Sequence, residues 1–167
     1  DHVGKPRVQC AEQTLNRFNS NIDVQIFDEN VNAENIDKIA GHADIIFSCA
    51  PLFEERFLLN EAAIRGDKKL IDCAMYSMEG QIMPILPRKT PCLKCIYPDK
   101  PTQWERKFPV IGAVSALVAQ IGAIEGIKLL CDFEKSSLGK LIRIDTSTMV
   151  IKKIKLLTKR EDCLACK

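Results

Sequence analysis

The spacing of hydrophobic positions changes along the chain, and each change marks an element. Behind Pro6, a residue suited to a first helical turn, Val8, Ala11, Leu15 and Phe18 recur at helical spacing, which predicts a helix over 6–19. Residues 23–27 (DVQIF) alternate and then stop at Asp28-Glu29-Asn30, predicting a short strand. Asn32, followed by Glu34, Ile36 and Ile39, predicts a capped helix ending near Gly41. Residues 43–50 (ADIIFSCA) are almost continuously apolar, as in a parallel strand covered on both faces. A helical stretch over 53–65 ends at Gly66, and residues 69–74 give another apolar strand. Strand, helix, strand, helix, strand at these spacings predicts an α/β fold with a doubly wound sheet.

After Ala74 the character changes. Residues 81–86 alternate as a sheet strand, a proline-rich loop runs over 87–109, and residues 139–157 hold two strand-like runs about a Ser-Thr turn, the pattern of an antiparallel hairpin. Between them Phe108 to Ile124 carries no charge and approaches the length of a membrane span. Ser115 and Gln120 interrupt that run, and Glu125 and Lys128 follow it. Gly112, Ala116, Ala119, Ala123 and Gly126 fall on one helical face, where a neighbouring backbone can approach closely. The preferred reading is therefore a buried central or subunit-interface helix, with no membrane partner. No repeat or low-complexity linker divides the chain, so one domain is expected.

Composition agrees with a globular chain. The 167 residues carry 46% hydrophobic and 28% charged side chains and a formal charge of +2, enough to build a core without disulfides. The slight positive balance is spread out, so nucleic acid is not an expected partner. No secretory leader opens the chain, and the cytoplasm is the expected compartment.

The sharpest chemical signal is in the cysteines. Four of the eight form two Cys-x-x-Cys pairs, Cys92/Cys95 and Cys163/Cys166. Each pair lets the chain turn back so that both sulfurs face one centre, and two pairs supply a closed four-sulfur shell for a structural zinc ion. Redox pairs or disulfides remain the other readings. Cys49, Cys73 and Cys131 lie in apolar segments where buried free thiols are usual. Trp104, in a charged loop, is read either as an anchor for a partner protein or as a cover for the cysteine lobe. No G-x-G-x-x-G occurs, which argues against a nicotinamide-dependent oxidoreductase.

In order along the chain, Val3-Gly-Lys-Pro-Arg-Val8, Phe53-Glu-Glu-Arg56 with Leu59-Asn60, Met78-Glu-Gly-Gln-Ile82, Pro91-Cys-Leu-Lys-Cys95, Glu125-Gly-Ile-Lys128 and Cys163-Leu-Ala-Cys166 resemble the ThiF/MoeB/HesA family, prokaryotic relatives of ubiquitin-activating enzymes. The resemblance implies a Rossmann-like sheet over 1–75, continuing into a zinc-bound, carrier-binding half with antiparallel strands over 76–167. It implies a homodimer that uses ATP and Mg2+ to adenylate the C-terminal Gly-Gly of a ubiquitin-like sulfur-carrier protein. Arg7 and Arg56 are the catalytic candidates; Arg7, Pro51 and Leu52 occupy the nucleotide-site positions; Cys92, Cys95, Cys163 and Cys166 are the metal ligands.

Three departures accompany the resemblance. The family's Gly-rich nucleotide loop is expected upstream of Asp1, where the chain opens without a methionine. Pro51-Leu52 replace an Asp-Asn pair that faces metal and nucleotide, so a magnesium ligand is expected only if Glu54, Glu55 or Asp72 substitutes. No cysteine lies between Cys95 and Cys131, which removes covalent transfer through that loop and leaves Cys73 as the other thiol near the expected crevice. An alternative expectation is a zinc-stabilised scaffold that binds a carrier or partner enzyme without chemistry.

Overall fold

The computed structural model describes residues 2–156 and 159–166, which fall into two compact units, one ending at Val31 and the other starting at Asn32. The first unit holds α1 (Arg7–Phe18), which follows Pro6 as the sequence predicts and has no buried residue. Residues 23–27 form no strand. Alternation assigns faces, but a strand also needs a ladder partner, and the described part of this unit contains no other extended segment to pair with.

In the second unit, α2 (Ile36–Ala40) is reached through reciprocal capping: Asn32 Oδ1 accepts from the Asn35 N–H at 3.0 Å while Asn35 Oδ1 accepts from the Asn32 N–H at 2.8 Å. Then come β1 (Ile45–Ser48), α3 (Phe53–Arg65), β2 (Lys69–Tyr76), β3 (Glu79–Ile85), α4 (Leu93–Ile96), α5 (Gly112–Cys131), β4 (Lys140–Asp145) and β5 (Val150–Lys155). The five strands pair in chain order. Only β1 and β2 are parallel, joined through α3; the other three pairings are antiparallel. The sheet is thus mixed, with its parallel part confined to one edge among the described residues. The expected hairpin over 139–157 is β4–β5, and Leu157, at the end of that expectation, lies outside the described residues.

Strand register decides what each face does. Ile71, Cys73, Ile82, Ile142 and Ile144 share one face and form a buried core with Val118 of α5. Each fully buried aliphatic side chain of this kind contributes roughly 1.5–3 kcal/mol. Helix α5 lies so close because β3 carries Gly80 opposite it: a Cβ there would strike a methyl of Val118. Gly122 and Gly126 do the same from the helix side, meeting Cys73 and the Phe47 ring.

The face of α5 turned to the sheet is therefore Val114, Val118, Gly122, Glu125 and Gly126. Of the two roles expected for the small-residue stripe, core or subunit seam, this removes the core: Gly112, Ala116 and Ala119 are exposed and Ala123 is half-buried, with only Gly126 inside. Both stripes advance at helical period and are rotated relative to each other, so spacing alone cannot choose between them. Although α5 is long and apolar enough by length and composition to cross a membrane, here it is the helix that covers the sheet. On the opposite face, Leu70, Asp72, Met83 and Ile85 point toward α3 and α4.

Candidate functional site

The two Cys-x-x-Cys turns come together although 68 positions separate Cys95 from Cys163. Cys92 caps α4, with the Cys95 N–H donating to its carbonyl at 3.0 Å, and the Cys163 N–H donates to the Arg160 carbonyl at 3.1 Å. The four sulfurs are buried and lie within 4.8 Å of one another, with closest approaches of 3.9 Å for Cys92–Cys95, 3.7 Å for Cys92–Cys163 and 3.4 Å for Cys95–Cys166. A tetrahedral ion with metal–sulfur bonds of about 2.3 Å needs sulfurs about 3.8 Å apart, whereas a disulfide needs about 2 Å. The donor set fits a metal and does not fit two disulfides.

Without an ion these thiols are electrostatically frustrated. Burial pushes Cys92 up to about 11, and burial with its sulfur neighbours carries Cys166 well above the ordinary thiol range. Burial also acts to raise Cys163, but backbone N–H groups of Ala165 and Cys166 outweigh it and bring that thiol to about 7. Four adjacent thiolates need a cation to balance them. The cluster is tied to the sheet by Asn60 of α3, whose buried Oδ1 accepts the Leu93 N–H at 2.9 Å.

A second feature lies on the α3 face of the sheet, over the last residues of β2 and the adjoining parts of β3, β4 and β5. A cavity of about 410 Å3 is walled by Phe53, Arg56, Tyr76, Gln81, Tyr97 and Trp104, with Arg143 at its rim. Trp104 Nε1–H donates to the Pro51 carbonyl at 2.8 Å, and its ring meets Phe53 edge-on at 5.2 Å. Of the two roles weighed for Trp104, the cover over the cysteines is not what the structure shows: Trp104 walls the cavity and closes the loop 97–110 onto the β1–α3 junction. Tyr97 donates from its hydroxyl to Gln81 Oε1 at 2.9 Å across the same cavity.

Arg56 is 1% exposed, and its guanidinium forms a fork on Asp72, Nε to Oδ1 at 3.0 Å and Nη2 to Oδ2 at 2.6 Å. Its flat face lies 4.4 Å from the Phe53 ring centroid, so packing and pairing hold it rigidly at the cavity wall. Arg7 opens α1 in the first unit and is exposed. Pro51 and Leu52 are half-buried; the Pro51 carbonyl accepts Trp104 and the Leu52 carbonyl accepts the Arg56 N–H.

No magnesium site emerges at this junction from the described residues. Both oxygens of Asp72 are taken by Arg56, Glu54 is ion-paired with Lys100, and the one cluster of potential metal ligands is the four cysteines. Of the three substitutes weighed for the missing Asp-Asn pair, Asp72 is fully buried and its charge is balanced by Arg56, whereas Glu54 and Glu55 lie in the first turn of α3.

Sequence reasoning missed one buried device. Glu125 of α5 accepts from Ser136 Oγ at 2.8 Å, from the Ser137 N–H at 2.6 Å, from Ser137 Oγ at 3.1 Å and from Lys128 Nζ at 3.3 Å. It anchors the loop that returns from α5 to β4. The signal was the Glu125-Gly-Ile-Lys128 motif, which shows a helix turn but not the serines that fold back onto it.

Compared with known proteins, the chain matches the model of the ThiF family over residues 1–165. Protein HesA of Nostoc sp. is 41% identical over 99% of this chain and 66% of its own length, and the heterocyst HesA of Trichormus variabilis is 41% identical over 99% and 62%. The Drosophila pseudoobscura pseudoobscura protein named adenylyltransferase and sulfurtransferase MOCS3-1 is 28% identical over 98% of this chain and 37% of its own. Escherichia coli MccB with ATP superposes with a TM-score of 0.81 at 21% identity, over 99% of this chain and 52% of MccB, a likeness of fold. The chain thus spans less than two thirds of the length of these relatives.

Proposed function

The chain belongs to the ThiF family, and from that premise we propose that the whole protein uses ATP to adenylate the C-terminal carboxylate of a ubiquitin-like carrier protein. The observation that carries this reading is the family match over residues 1–165, supported by a relative named adenylyltransferase and sulfurtransferase and by a likeness of fold to MccB, solved with ATP. A carboxylate is a poor electrophile; joined to AMP it acquires a good leaving group, and an enzyme contributes chiefly by positioning and by stabilising charge. In this chain the aromatic cavity on the sheet is the place proposed for the carrier's slender tail, with the Arg56 guanidinium, held by Asp72, as a fixed part of its wall. Arg7, exposed in the first unit, is a separate candidate for a phosphate-directed charge.

The metal held by Cys92, Cys95, Cys163 and Cys166 is proposed to be zinc, in a closed structural shell that locks the loop after β3 to the C-terminal turn. Zinc contributes cohesion there, while the sheet and cavity do the binding. The exposed stripe Gly112, Ala116 and Ala119, with Ile124 and Ile127, is the proposed homodimer seam. A cytoplasmic location follows from the same reading.

A second reading is favoured by one observation, the absence of a metal-binding carboxylate at Pro51-Leu52: a scaffold that binds a carrier and performs no adenylation. ATP–pyrophosphate exchange by the whole protein, with and without Gly-Gly-ending carriers, separates the two. Carrier-dependent exchange is the expected result. Carrier binding with no exchange would replace the adenylation reading by the scaffold.

A further inference from the structure

Two cysteines outside the four-sulfur cluster are brought together by the parallel edge of the sheet. The register of β1 on β2 pairs Ser48 with Asp72, so the next residues, Cys49 just past the end of β1 and Cys73 within β2, stand side by side. Both side chains fall on the α5 face: Phe47, two residues before Cys49, meets Gly126, and Cys73 Sγ lies 2.5 Å from where a Cβ on Gly122 would be. Asp72 points to the opposite face, into its fork with Arg56, so the two sulfurs have each other as neighbours rather than a ligand set for a metal.

Their exposures differ in a useful way. Cys49 is exposed, and Cys73 is buried at 6%. The neighbouring Cys73 acts to lower the Cys49 thiol, whereas Cys49 and burial push the Cys73 thiol up. Burial and the Asp72 charge act against thiolate at Cys49 but do not cancel the effect of Cys73. An accessible, thiolate-prone sulfur beside a shielded second thiol is the arrangement of an attacking and a resolving cysteine. Laterally paired residues on neighbouring strands have Cα atoms about 5 Å apart, inside the range a disulfide bridges.

We propose that Cys49 and Cys73 form an oxidisable dithiol, with hydroperoxides reacting at Cys49 and Cys73 closing a disulfide. In the first step the Cys49 thiolate attacks one peroxide oxygen, the O–O bond breaks, and Cys49 becomes a sulfenic acid while the second oxygen leaves, protonated, as water or an alcohol. In the second, the Cys73 sulfur attacks the Cys49 sulfur, the S–O bond breaks, and the Cys73 proton leaves with the hydroxyl as water. Two electrons pass from the two sulfurs to the peroxide, and a thiol reductant returns them. The bridge would fasten the end of β1 to β2 two residues before Pro51, where Trp104 closes on the junction.

Cys131 provides an internal reference, since it is exposed at the end of α5 and has no sulfur partner among the described residues. The test is peptide mass spectrometry of the full chain after titration with hydrogen peroxide, with dimedone present to trap sulfenic acid. A Cys49–Cys73 linked peptide is expected at doses that leave Cys131 largely reduced. In Cys73→Ser the Cys49 dimedone adduct should replace the link. In Cys49→Ser, Cys73 should stay reduced, which tests the order of attack without altering the packing under Gly122. Oxidation of Cys49 no faster than of Cys131, sulfenic acid persisting on Cys49 in the unaltered chain, or oxidation of Cys73 in Cys49→Ser would each overturn the proposal.

Discussion

Single residues carry buried charge in this fold, and their neighbours determine what each substitution does. Asp72 and Arg56 neutralise each other almost out of solvent contact. Asp72→Asn leaves the guanidinium unpaired in the interior and should cost about 3–5 kcal/mol. Urea unfolding would measure this, with Arg56→Met in the same background recovering part of the loss; full stability of Asp72→Asn alone would contradict the pairing argument. Glu125 behaves differently with pH. Burial pulls its carboxyl upward, but the donors on Ser137, Ser136 and Lys128 outweigh burial and hold it below its ordinary value of 4.5. Because the folded value is depressed, the stabilisation is present above the unfolded value and is lost as pH falls below about 4.5. Glu125→Gln should therefore lose about 1–3 kcal/mol at neutral pH and converge on the unaltered chain in acid. A gap that stays constant across that range of pH would count against the carboxylate.

At the scale of elements, glycine positions set how closely α5 sits on the sheet. Gly80 faces Val118, a branched side chain 4% exposed with little room to retreat. Gly80→Ala should destabilise by about 1–3 kcal/mol, and Val118→Ala should relieve much of that cost, a coupling that a double-mutant cycle would read directly. Additive effects would mean that the two do not meet. The sequence made most elements legible because period and punctuation agreed: Pro6 before α1, Gly66 after α3, and the apolar run of β1. It misread residues 23–27, since alternation says nothing about a pairing partner. It left the stripe of α5 open between core and subunit seam and did not single out Gly122, which lies on another face equally regular in spacing. The contact that decides between those stripes, Gly122 under Cys73, joins residues far apart in the chain and carries no local pattern.

For the whole molecule, the cysteine cluster was legible from spacing because few arrangements other than a metal shell use two Cys-x-x-Cys pairs, and the structure brings all four sulfurs within reach of one ion. Arg56 was singled out in the sequence as a catalytic candidate but not as Asp72's partner, which depends on how α3 lies across β2. Metal analysis should find about one zinc per chain, and its removal by chelation should loosen the link between the loop after β3 and the C-terminal turn, seen as hydrogen exchange rising at Leu93 and Cys95. Unchanged protection in metal-free protein would argue against a structural metal. The central claim concerns chemistry on a partner, which the cavity, Arg56 and family membership support together. Its most direct test is intact-mass measurement of a Gly-Gly-ending carrier after incubation with the whole protein, ATP and magnesium. A carrier species heavier by one adenylate, absent when the terminal glycine is deleted, is the predicted result. A carrier that binds the protein yet never acquires the adenylate would contradict it.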